Sequence, residues 1–214
     1  MTNQNPIQLN IHFRVSQELE DQIIEVSNQI AEKYGSNWKL DSTISIPHFS
    51  MYLLAIPQKN LAKAQELAQT LSKDFKPLRI EVDGLFVAPS GQIMLAFNKQ
   101  NIYYQYHLKI LNVFNKLREG VQRKKYLDEA YFKSLPNKAK KYLRRYGSRY
   151  VLDQFDTHIT ISSFGDLTTS EIVAKEFKAL FTNKTTKLEF FEITQDDYDT
   201  NDAVKIVFSK KLKS

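Results

Sequence analysis

The sequence predicts an α+β fold in two lobes, each an antiparallel sheet with helices on one face. Two observations predict the class. Strand-like segments with period-two alternation recur along the chain, with helical segments between them, in an order that repeats on a smaller scale near the end. Those strands alternate apolar and polar residues instead of running apolar throughout, so each sheet buries one face and shows the other. A third observation bears on function. The pattern histidine, apolar, hydroxyl, apolar occurs twice, as His48-Phe49-Ser50-Met51 and as His158-Ile159-Thr160-Ile161.

Residues 8–15 alternate cleanly, with Leu9, Ile11, Phe13 and Val15 on one face and Asn10, His12 and Arg14 on the other. Ser16 is placed to cap a helix over about 17–34, with Leu19, Ile23, Val26 and Ile30 at helical spacing and Gly35 to end it. The first motif strand lies within 44–56. Pro47 precedes His48, which suits a bulge, a sheet edge or an irregular strand start. Pro57 closes it, and a helix over 59–73 follows. Strands at 78–87 and 92–98 are joined by the turn Pro89-Ser90-Gly91. A helix over about 102–122 would bury Tyr103, Tyr106, Ile110, Val113, Phe114 and Leu117.

Residues 123–150 carry Arg123, Lys124, Lys125, Lys138, Lys140, Lys141, Arg144, Arg145 and Arg149, interleaved with tyrosines. That composition fits a surface tracking a phosphate backbone, and equally a solvated helix face. Val151-Leu152 open the second motif strand and Gly165 ends it. Thr168 or Thr169 would cap a helix over about 170–181. Strands at 187–195 and 203–210 finish the chain, with an acidic turn over 195–202 between them. The division reads as one bilobal domain over 1–214: lobe one about 8–100, a helical and basic connection about 101–150, and lobe two about 151–210.

On a strand, His48 and Ser50 share a face, as do His158 and Thr160, while the apolar residues point into the core. Residues two apart on a strand lie roughly 7 Å apart, which lets an imidazole move a proton while a hydroxyl holds an oxygen of the same phosphate. With 27 Ser or Thr in 214 residues and 42% hydrophobic content, a given histidine opens this pattern by accident about one time in fifty. Two of the four doing so is on the order of 0.3%. His12 and His107 do not fit the pattern.

The paired motifs resemble those of the two-histidine (2H) phosphoesterases, which include bacterial RNA 2′,3′-cyclic phosphodiesterases historically called 2′–5′ RNA ligases. The order of elements is similar over most of the chain, though the long middle segment departs from compact members. The stretch YGSRYVLDQFDTHIT is similar to members encoded among phosphonate-breakdown genes. The resemblance implies pseudo-symmetric lobes around a cleft, one motif per lobe, and metal-free chemistry with no cofactor. His48 and His158 are then the catalytic pair, one as base on water and the other as acid to the leaving oxygen, in an order the sequence leaves open. Ser50 and Thr160 would bind the phosphoryl oxygens. Arg149, Tyr150, Arg14 and His12 are further substrate-contact candidates. Zinc is the rival chemistry, but no carboxylate accompanies either motif at ligand spacing.

Composition sets outer bounds. A net charge of +6 favours anionic partners, and the absence of cysteine excludes disulfides and thiolate metal sites. No apolar run nears the ~20 residues of a membrane span, and residues 1–10 lack signal-peptide features, so no membrane association and a cytoplasmic location are expected. The expected substrate is a nucleotide or RNA-end phosphodiester, with RNA contact through the basic segment. A ligase reading is the same chemistry reversed. The competing class is a non-catalytic RNA- or nucleotide-binding module using residues 123–149. Oligomeric state is not legible.

Overall fold

The structure, a computed structural model of the chain, describes residues 6–195 and 204–213. Strand β1 (Ile7–Val15) lies between β2 (Phe49–Ile56) and β6 (Thr185–Gln195), antiparallel to both. The far side of β6 carries β7 (Lys205–Lys211) and the first part of β3 (Leu78–Val87). The second part of β3 pairs with β4 (Gln92–Phe97), and β4 pairs with β5 (His158–Ser163). The path is therefore β2-β1-β6-β3-β4-β5. It starts on the first motif strand and ends on the second. Cα atoms of these two end strands approach within 8 Å of each other, so the sheet curls until its ends meet.

Helices cover it. Helix α1 (Gln17–Tyr34) packs against β5, whereas α2 (Leu61–Leu71) packs against β7 and α3 (Asn101–Phe114) against β2. Helix α1 buries the expected stripe of Leu19, Ile23, Val26 and Ile30 and ends at Gly35, whose φ of 73° only glycine adopts cheaply. Two shorter helices, α4 (Glu129–Ser134) and α5 (Asn137–Tyr146), precede α6 (Leu167–Phe177), which packs on β3 and β4. On the helix side of the first sheet half, Phe13, Phe75, Tyr106 and Phe191 form a ring cluster with centroids 4.6–5.8 Å apart. Each such buried ring contributes about 1.5–3 kcal/mol by removal from water.

The α+β antiparallel class holds, but the lobes are not sequential blocks. β6 inserts between β1 and β3, and β5 pairs with β4 from the first part of the chain. The reason is that β1 is a central strand: residues expected on an open face, Asn10 and His12, are 0% and 1% exposed. It needs a hydrogen-bonded partner on each edge, and β6 supplies the second. The second motif strand begins at His158, not at Val151. Before it, Leu152–Gln154 make a helical turn with Leu152 at φ 55°. Helix α3 stops at Phe114 and tightens into a short 3₁₀ turn to Arg118. Helix α6 starts earlier than expected because Asp166, not a threonine, accepts from the Thr169 N–H at 2.8 Å. Ser16 does sit at the start of α1, but its hydroxyl bonds Thr186 Oγ1 at 2.7 Å instead of capping. The acidic turn over 195–202 lies outside the described residues, apart from Gln195.

Candidate functional site

The two motifs adopt one local design. In each, histidine and hydroxyl residue are half-buried while the apolar residue between them is buried. In each, the register slips just after the hydroxyl. The β1–β2 pairing passes from Ile11↔Tyr52 to His12↔Ser50, leaving Met51 unmatched. The β4–β5 pairing passes from Ile93↔Ser162 to Met94↔Thr160, leaving Ile161 unmatched. The fourth motif residue is thus a bulge in both, and so two consecutive residues are buried, Met51-Tyr52 and Ile161-Ser162. The imidazoles are also held alike. His48 Nδ1 donates to the Ile46 carbonyl at 2.7 Å, and His158 donates to the Asp156 carbonyl, in each case two residues back.

Because a carbonyl only accepts, Nδ1 of His48 carries a proton, and its Nε2 accepts from Asn10 Nδ2 at 2.8 Å. On β1, Asn10 and His12 share the face that shows His48. The His12 and His48 rings lie 5.0 Å apart, tilted by 44°. His12 Nε2 stands 3.4 Å from Glu192 Oε2 on β6, and Ser209 on β7 donates to Glu192 Oε1 at 2.6 Å. Arg14 is committed to Glu20, donating from Nε at 2.9 Å and again through its second nitrogen, and lies 3.9 Å from Glu192. Burial pushes the Glu192 carboxyl up, but the nearby His12 ring, the Ser209 hydrogen bond and the Arg14 charge bring it below the usual glutamate range. The strand-one candidates thus back His48 instead of lining open space. Sequence reading missed Glu192, since alternation along β6 says nothing of which strand lies beside it.

Around His158, burial dominates and lowers the imidazole below the ordinary histidine value, opposed by the Asp156 charge and carbonyl. The two residues before it, Asp156 and Thr157, help line a cavity of about 280 Å³ together with Tyr103, Tyr104, Leu152 and Phe155; none of the four motif residues His48, Ser50, His158 and Thr160 lines it. The Tyr103 and Thr157 hydroxyls are buried and without a hydrogen-bond partner among the described residues.

Of the remaining candidates, Tyr150 is exposed and Arg149 lies over its ring at 4.5 Å. Arg123, from the same basic segment, is buried and donates to Gln8 Oε1 at 3.0 Å, on the Asn10 side of β1. The segment has a small core of its own from Tyr126, Leu135 and Leu143. Lys138 pairs with Asp153, while Lys141, Arg144 and Arg145 are solvent-facing.

His107 is a buried staple. Nδ1 donates to the Met51 carbonyl at 2.8 Å, Nε2 accepts from the Leu152 N–H at 3.1 Å, and the ring stacks on Phe155 at 4.1 Å. It therefore ties the first motif's bulge to the turn leading into the second. Burial lowers it to about 4. Among the described residues, no group of three or more His, Asp or Glu is placed to hold a metal ion, and no helix is long and apolar enough to cross a membrane.

In sequence, no family model matches the chain, and no curated protein matches it significantly. In structure, likeness extends over nearly the whole chain. TT0787 of Thermus thermophilus aligns with a TM-score of 0.60 at 12% identity, covering 96% of this chain and 98% of that one. E. coli LigT complexed with 3′-AMP aligns at 0.54 and 12%, covering 98% and 100%. LigT complexed with NADP+ aligns at 0.52 and 11%, covering 97% and 99%. At such identity the likeness is one of fold, shared over nearly the full length with TT0787 and LigT.

Proposed function

We propose that this protein is a phosphodiesterase that opens a cyclic phosphate, or cuts a short oligonucleotide, by acid–base catalysis with His48 and His158 and without a metal. The observation that carries this reading is the duplicated design: two imidazoles tethered alike, each two residues before a half-buried hydroxyl and each just ahead of a bulge, at the starts of the two strands where the sheet closes. A structural histidine has no need of a second copy at the opposite end of the sheet path.

His158, kept neutral by burial, is assigned as the base. It takes a proton from water as the water oxygen bonds phosphorus. His48, protonated, gives its proton to the leaving ribose oxygen as the P–O bond breaks. Both protons then exchange with solvent, and the product is a phosphomonoester with a free hydroxyl. The Ser50 and Thr160 hydroxyls donate to the non-bridging oxygens, where charge accumulates in the transition state. Asn10 serves both states of His48, because a primary amide donates in one orientation and accepts in the other. The cavity lined by Tyr103, Tyr104, Leu152 and Phe155 offers an apolar floor, which suits a nucleoside. Structures of LigT hold 3′-AMP and NADP+, which supports a nucleotide as substrate class.

A second reading, a non-catalytic RNA-binding module, rests on the exposed Tyr150 with the half-buried Arg149 over its ring and on the solvent-facing cations of α5. One experiment separates the two. Wild type, His48→Ala and His158→Ala proteins are incubated with 2′,3′-cyclic mononucleotides and short RNAs in excess chelator. Phosphomonoester product from wild type alone supports the first reading. Full activity in both variants, or tight RNA binding with no product, overturns it.

A further inference from the structure

Behind His48 runs a row of polar side chains from Ser50 to Ser209, whose two middle members, His12 and Glu192, are buried and unused by the proposed reaction. Ser50 pairs across the sheet with His12, His12 with Glu192, and Glu192 with Ser209. Directly paired residues share a face, so four strands contribute to one line. His12 and Glu192 are each 1% exposed. His12 has no well-formed hydrogen bond from either ring nitrogen among the described residues, although Glu192 Oε2 is 3.4 Å from Nε2.

The fixed charges facing this row are Glu192, Arg14 on β1 and Glu20 on α1; the buried Arg123 lies farther along the same side of β1, at Gln8. Arg14 and Glu20 neutralise each other through two hydrogen bonds. Lys211 on β7 lies over Phe190 but is solvent-exposed, so water screens it. That leaves the charge of Glu192 to be balanced inside the protein, where an unmatched carboxylate is costly. Among the described residues, the other titratable groups along this row are the two imidazoles. Two protons there would put like charges about 5.0 Å apart in a dry site.

We propose that His12 and His48 share a single proton, drawn in by Glu192, so that His12 and Glu192 set the pH range over which His48 is charged. They are positioning residues and touch no substrate. This rests on the assignment of His48 as the acid only for its consequence on rate; the shared proton stands on the buried row itself. With the proton on His12, the His12–Glu192 pair is neutral and His48 is free of charge. With the proton on His48, the leaving oxygen has its donor. Passage of the proton from His48 to the leaving group empties the pair, and Glu192 favours its refilling from solvent.

The test is an NMR titration of both imidazoles in wild type, Glu192→Gln and His12→Gln. In Glu192→Gln, uptake of the first proton by the pair is expected at least one pH unit lower. In His12→Gln the proton has no alternative seat, so the His48 midpoint is expected to rise by at least half a unit. The alkaline limb of the kcat profile should move with His48, down in the first variant and up in the second, with KM unchanged. A His48 midpoint identical in all three proteins overturns the proposal, as does independent uptake of two protons in the wild type. Should Glu192→Gln fail to fold, His12→Gln decides alone. Midpoints that move in a protein that cleaves no phosphodiester would sink the enzymatic reading and leave the shared proton standing.

Discussion

His48 and His158, far apart in sequence, are held in the same way: each imidazole donates to the carbonyl two residues earlier, and each strand bulges just past its hydroxyl residue. The bulge turns the following residues back into the core and leaves histidine and hydroxyl on the outward side. Each motif is thus a rigid presenter of two polar groups on a strand, a more exact support than a loop.

Replacing either histidine with alanine should lower kcat by about 10²–10⁴-fold, the range for loss of a general acid or base. Both are half-buried, His48 just before β2 and His158 at the first position of β5, beside apolar residues that stay in place. Far-UV circular dichroism should therefore be unchanged while hydrolysis of a 2′,3′-cyclic nucleotide in chelator is lost.

The hydroxyls are assigned as donors to charge that develops in the transition state. Ser50→Ala and Thr160→Ala should each reduce kcat by about 10²-fold or more with little change in KM. Thr160→Ser and Ser50→Thr keep the hydroxyl and should retain most of the rate. Steady-state kinetics on the four variants checks this, and alanine variants at full rate would remove the hydroxyls from the site.

His107 gives the fold a pH dependence. Its value is about 4 folded against about 6.5 unfolded. The unfolded chain therefore binds more protons between those limits, and stability falls as pH drops from about 6.5 towards 4. This one group accounts for about 3 kcal/mol across that window. Urea unfolding at pH 7.5 and pH 4.5 should show the loss, and His107→Gln should be less stable at pH 7.5 but flatter between the two.

Gly147 ends α5 at φ 68°, and a Cβ there would collide with the Arg118 guanidinium. Arg118 is buried and donates to the carbonyls of Arg145 and Val121 at 3.1 and 2.9 Å. Gly147→Ala should therefore cost about 3 kcal/mol, from left-handed strain plus displaced hydrogen bonds. Gly35→Ala has the same strain but nothing within 4 Å of the added carbon, and should cost only about 1 kcal/mol. Thermal melts of the pair separate strain from collision.

If the basic segment meets the substrate, Arg149→Ala and Tyr150→Ala should raise KM for a short RNA by about tenfold, leave kcat unchanged and reduce the salt slope of binding. KM values equal to wild type at low and high salt would confine the segment to a structural role.

What the sequence by itself determined is what local geometry dictates. Alternation with period two put His48 with Ser50 and His158 with Thr160, and helical spacing with Gly35 marked α1, because side-chain direction depends only on a residue's own stretch of backbone. The capping of α6 by Asp166 is also local, but it starts the helix three residues before the position that Thr168 or Thr169 suggests.

Only the tertiary structure decided which strands adjoin. The insertion of β6 beside β1, the meeting of β2 with β5, the burial of His12 against Glu192 and the stapling of Met51 to Leu152 by His107 all join residues distant in the chain. Backbone edges of different strands offer the same donors and acceptors, so the choice among them is made by total burial and not by any short pattern. That choice turned His12 and Arg14 from open-face candidates into the support behind His48.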